Sequence, residues 1–178
     1  MSTEEILTML SLIATVIIGI AGFGFTIYQI YKSNKVKKAE FVSSLLKHLR
    51  LNERIIEANY IIDYSEHWYN EHFHNSGELE KNIDALFSQI DFICYLYSNS
   101  LLSKADFSIF KYEISRICNN SQCRCYLWNL YHWAKANGVQ CSFDNLINYL
   151  KKNLSEKELA AFESNKKRTS GYEQYLNF

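Results

Sequence analysis

Histidine, cysteine, carboxylate and arginine side chains decide what chemistry this 178-residue chain could do, and their spacing narrows the choice. His67, His72 and His74 stand at i, i+5 and i+7, which does not reproduce the i, i+4 pair that grips zinc from one helix face. They read as solvated loop histidines. Cys118, Cys123 and Cys125, with His132 and Cys141 further on, have zinc-binding atoms but no tight C-x2-C pair, so buried reduced thiols are expected, with no metal and no cofactor. Asp84 and Asp91 lie seven apart on one flank of a helix and read as a solvated flank. Lys151-Lys152 and Lys166-Lys167-Arg168 read as solubilising charge. The chain lacks a phosphate-binding glycine loop, a nucleophile elbow and a Ser-His-Asp signature, so neither classical enzyme chemistry nor a small-molecule substrate is expected.

A second set of residues acts through position in a membrane. From Ile6 to Tyr31 no residue is charged, and a helix of about 20 residues already crosses the ~30 Å hydrocarbon core. Glu4 and Glu5 in front of it are unlike the basic start of a secretory signal, which favours an uncleaved span. Lys32, Lys35, Lys37 and Lys38 follow the span and no Lys or Arg precedes it, so the positive-inside rule puts the N-terminus outside and the rest in the cytoplasm. Tyr28 and Tyr31 fall at the expected aromatic belt, completing a membrane-interface set with those lysines.

Within the span Thr8, Ser11, Thr15, Gly19, Gly22, Thr26 and Gln29 are spaced three or four apart, which places all of them on one helix face. Two readings of that face stay open. Small residues let two helices approach closely while Ser and Thr bond their own backbone, or several copies form a ring whose hydroxyls, Gln29 and glycine backbone line a narrow wet path. Both imply self-association in contact with membrane lipid.

The elements behind the span follow from composition. Nineteen basic residues balance nineteen acidic ones, proline is absent, only six glycines occur, and Phe, Trp and Tyr supply 15% of the chain, so the reading is all-α with an aromatic core. An odd count of five cysteines argues against a disulfide framework. The apolar spacing predicts a long helix from about Val36 to Tyr69, continuous with the span or nearly so, and a loop with His72, His74, Asn75, Ser76 and Gly77. It then predicts a helix from Leu79 to Tyr97, one capped by Ser103 and ending at Asn119-Asn120, and one from Ser121 to Asn137 stopped by Gly138. A helix capped by Ser142 and a short one with a Ser155-Glu158 capping box complete the set. Boundaries are expected at 1–31 for the transmembrane helix, 32–165 for an up-and-down helical bundle and 166–178 for a loose polar tail.

Between Arg116 and His132, two arginines, several asparagines and a histidine meet at a junction of two helices. This arrangement resembles the HEPN ribonucleases, whose Arg-x4-His motif lies near such a junction and cuts RNA at a dimer interface. No Arg-x4-His occurs in this chain. Arg124 with Asn129 is the nearest remnant and His132 follows one turn later, so the resemblance implies a HEPN-like bundle that binds RNA or assembles more readily than it cuts. In layout the whole chain is similar to the small accessory membrane proteins of type VI-B CRISPR systems. That likeness implies a homo-oligomeric pore in the bacterial inner membrane, acting in anti-phage defence beside an RNA-guided RNA nuclease. A membrane-tethered ribonuclease and a non-catalytic recruitment anchor are the alternative functions.

Overall fold

The computed structural model describes residues 3–65, 67–75, 77–166 and 170–176, with the side chain of Glu5 left out; Ser76, Lys167 and Arg168 lie outside the described residues. Among those residues every regular element is a helix and none is a strand. Two compact units divide the chain between Leu45 and Leu46.

The first unit is built on helix α1, Thr3–Leu51. It is the one helix among the described residues that is long and apolar enough to cross a membrane, with a mean hydropathy of 2.4 over its best window, none of it buried. Large apolar side chains such as Leu7, Ile18, Ile20 and Phe23 stand fully in the open, a distribution that water penalises and hydrocarbon does not.

The second unit, residues 46–178, holds the packed core. The expected long helix to Tyr69 does not form, because Asn52 competes with the helical backbone. Its Oδ1 accepts the amides of Arg54 and Ile55 at 3.1 and 3.4 Å and so starts a new helix, α2, Glu53–Tyr64. After Ser65 the chain leaves helical geometry, and Trp68, Tyr69 and Phe73 turn into the core. Helix α3, Glu78–Ser98, buries Ile83, Leu86, Phe87, Ile90, Ile93 and Cys94 at the predicted spacing. The single helix expected after Ser103 is instead two, α4 (Lys104–Ser108) and α5 (Lys111–Asn119), parted at Ile109-Phe110, where Phe110 plunges into the core.

Helix α6, Ser121–Asn137, is capped by Asn120, whose Oδ1 accepts from Gln122 and Cys123 while its Nδ2 donates to the Ile62 carbonyl of α2. Gly138, at φ 65°, ends it in the left-handed region that glycine occupies without penalty. Helix α7, Asp144–Asn153, has no cap from its own flank, so the expectation for Ser142 fails. Asp91 on α3 does the work across space, accepting the Leu146 amide at 2.8 Å and the Asn145 side chain at 2.9 Å. Ser155 and Glu158 form the expected capping box at the start of α8, Glu156–Glu163.

Candidate functional site

Three side chains singled out by their types lie on α6, and each is engaged by a different stretch of the chain that follows α7. Arg124 reaches the first turn of α8, with Nη1 3.1 Å from Oε1 of Glu158. His132 reaches its last turn, with Nε2 2.8 Å from the Phe162 carbonyl. That contact requires the proton on Nε2, so the ring donates from that nitrogen. Burial pulls the His132 pKa below its usual value, and the nearby Lys135 and Lys151 add to that, while the bond to Phe162 opposes it.

Asn129 is only 3% exposed and holds the tail itself. Its Nδ2 donates to the Glu173 carbonyl at 2.7 Å and to the Cys125 carbonyl at 2.9 Å, and its Oδ1 accepts the Tyr175 amide at 2.9 Å. One side-chain amide thus reads the backbone of an extended segment at positions two apart, as a neighbouring strand would. Around it, Cys125 Sγ lies 3.3 Å from the Glu173 carbonyl, and the Trp128 indole N–H donates to the Ser164 carbonyl at 3.2 Å. The Trp128 ring stacks on Tyr172 at 5.4 Å and 12°, and Tyr175 meets Tyr69 edge-on at 5.0 Å.

Three expectations change here. The tail expected to be loose is packed over residues 170–176, with Ser170 buried, because Tyr172 and Tyr175 are apolar anchors in an otherwise polar stretch. Arg124, Asn129 and His132 each bond the C-terminal part of the chain, Arg124 and His132 to α8 and Asn129 to the tail. Lys151 is more than solubilising charge, since its Nζ pairs with Glu163 at 2.6 Å and lies 4.9 Å over the Tyr131 ring, joining α7 to α8.

A second cluster joins His74, in the stretch before α3, to residues of α3 and α6. Tyr126 donates to Asp84 at 2.6 Å, and His74 Nδ1 lies 2.7 Å from Glu80, beside a cavity of about 320 Å³ that Ser142 and Leu176 also line. Neither Asp84 nor Asp91 is the solvated flank expected of them; both are partnered between helices. Burial raises the Asp84 pKa, the Tyr126 hydroxyl pulls it back, and Glu80 raises it further. Among the described residues no group of three His, Cys, Asp or Glu side chains is placed to hold a metal ion. His72 stands in the open beside Glu71, whereas His74 is half-buried on Glu80. The five cysteines are free and buried, and burial pushes the Cys118 thiol up to about 12, far from a reactive thiolate.

On α1 the small and polar face has its own internal bookkeeping. Thr8, Thr15 and Thr26 each donate to the carbonyl four residues earlier at 2.9 Å, to Glu4, Ser11 and Gly22 respectively. At Gly19 and Gly22 an added Cβ would meet nothing within 4 Å, so the backbone is bare there. Ser11 and Gln29 are exposed on the same face, and Tyr28, Tyr31, Lys32, Lys35, Lys37 and Lys38 are exposed around the helix at the end of the apolar stretch, with the Lys35 ammonium 4.7 Å over the Tyr31 ring. Compared with protein-family models, with curated proteins and with solved structures, the chain matches none of them.

Proposed function

We propose that this protein is a homo-oligomeric membrane pore or permeabilising effector, single-pass in a bacterial inner membrane, with its N-terminus outside and a HEPN-like helical unit in the cytoplasm. The observation that carries the reading is the face from Thr8 to Gln29 on the exposed apolar stretch of α1. Its threonine hydroxyls are satisfied within the helix, so they add no unpaired donor to a bilayer, and its glycines leave the backbone bare for close approach of another helix or of water. A lone helix gains nothing from such a face in lipid; a ring of copies does. The likeness to type VI-B accessory proteins supports placing this activity beside an RNA-guided RNA nuclease in anti-phage defence. A ribonuclease role for Arg124, Asn129 and His132 is disfavoured, because all three are committed to the C-terminal part of their own chain.

Reconstituted vesicles test the proposal. Native protein is expected to release a trapped ion, and a variant with Leu at Thr15, Gly19 and Gly22 is expected to lose that leakage. Leakage that persists unchanged means this face is not the conduit.

A further inference from the structure

The contacts of residues 170–176 have the form of a ligand in a site. Their backbone is irregular, and among the described residues no helix or strand bond ties it down beyond Ser170. Apart from the Tyr172 amide's 3.4 Å bond to Ser170 Oγ, the contacts named here come from outside it. Asn129 reads the Glu173 carbonyl and the Tyr175 amide, which recognises extended backbone whatever the side chains are. Side-chain selectivity comes from two aromatic seats, Trp128 beneath Tyr172 and Tyr69 against Tyr175, which accept two aromatic residues three apart. A cavity of about 350 Å³ remains beside the segment, bordered by Gln122, Arg124 and Glu158, so the seat is not sealed by its occupant.

We infer that this groove on α6 is a peptide-binding site for an extended Tyr-x-x-Tyr segment, and that its partner is the same segment of a second copy of this chain. The contacts run from α6, Tyr69, Phe162 and Asn165 to residues 170–176, beside one bond inside the segment from the Tyr172 amide to Ser170 Oγ. An identical segment from a neighbouring copy therefore makes the same bonds at the same geometry, the condition under which exchanging an element between copies costs little. Effective concentration decides which tail is bound: the chain's own when copies are dilute, a neighbour's when they are crowded. Crowding rests on the membrane reading above; the groove and its chemistry do not.

The test uses the full chain in detergent and a fluorescent peptide of residues 170–178. A chain carrying Tyr172→Ala and Tyr175→Ala has weakened its own tail, and is expected to bind the peptide at least ten-fold tighter than the native chain. Adding Asn129→Asp, which keeps the size and removes the donor, is expected to cost ten-fold or more in that binding while the thermal transition persists. A tail-weakened, folded chain that binds no peptide overturns the inference, as does binding indifferent to Asn129→Asp. In the second arm, the Asn129→Asp chain with an intact tail is mixed with the Tyr172→Ala, Tyr175→Ala chain with an intact groove, each labelled for energy transfer. Transfer in the mixture above that of either chain alone supports exchange between copies, and equal transfer overturns it. The span is untouched in both arms, so failure here leaves the pore proposal standing, and loss of leakage in the span variants leaves the groove standing.

Discussion

Asn129 holds Tyr175 in place: its Oδ1 accepts the Tyr175 amide at 2.9 Å while its Nδ2, on the same side-chain plane, donates to the Glu173 carbonyl at 2.7 Å. This pairing makes the C-terminal segment part of the folded unit, and it has a direct consequence. Asn129→Leu removes its bonds to the Glu173 carbonyl and the Tyr175 amide, each at a cost of about 1–3 kcal/mol unless the segment lifts into water. The expected outcome is lifting. Hydrogen exchange at the Tyr175 amide should accelerate by ten-fold or more while amides inside α3 keep their protection.

His132 links the packing of α6 on α8 to pH. Its folded pKa is lowered by burial, so the unfolded state takes up the proton first as pH falls. The contribution is therefore whole above about 6.5, the ordinary histidine value, and is lost as pH drops through the lower folded value. Thermal melts of native protein and His132→Gln at several pH values isolate it. The native protein should lose more stability than the variant between pH 7.5 and 5.5, and equal losses would count against it.

Asp84 behaves in the opposite sense. Its folded pKa is raised by burial, so its contribution is present below the unfolded carboxylate value and is lost as pH rises through the folded one. Asp84→Asn keeps an acceptor for the Tyr126 hydroxyl and carries no charge. Its stability relative to native protein is expected to improve as pH rises from about 4 through the raised folded value, read as the difference between their unfolding midpoints.

Asp91 caps α7 from another helix, and removing it should cost what a lost cap costs. Asp91→Ala is expected to destabilise the second unit by about 1 kcal/mol. Exchange of the Leu146 amide should quicken more than that of any residue in α3. A Ser142→Ala change, by contrast, should be near neutral, since Ser142 caps nothing.

The parts of this fold that local chemistry dictates were legible in the residues. The stripe along α3, the Gly138 stop and the Ser155-Glu158 box all follow from interactions within four residues, which spacing encodes. The charge-free run in α1 is legible for the same reason. Asn52 was passed over because the stripe continues on both sides of it, while one side-chain oxygen suffices to restart the helix. Asp91 capping α7 and Asn129 holding Tyr175 join residues 55 and 46 apart in the chain, and no local pattern announces such pairs. The tail did carry a signal, two tyrosines three apart in a polar stretch, and its composition outweighed them in the reading. Arg124, Asn129 and His132 share one helix, but their partners lie apart, in α8 for Arg124 and His132 and in the tail for Asn129, which residue type and spacing do not show.

The oligomeric mass of the full chain in mild detergent tests the central proposal most directly. The account predicts a discrete assembly of several copies that falls toward the 20.9 kDa protomer when Thr15, Gly19 and Gly22 are replaced by leucine. A native chain that is monomeric at every concentration would contradict it.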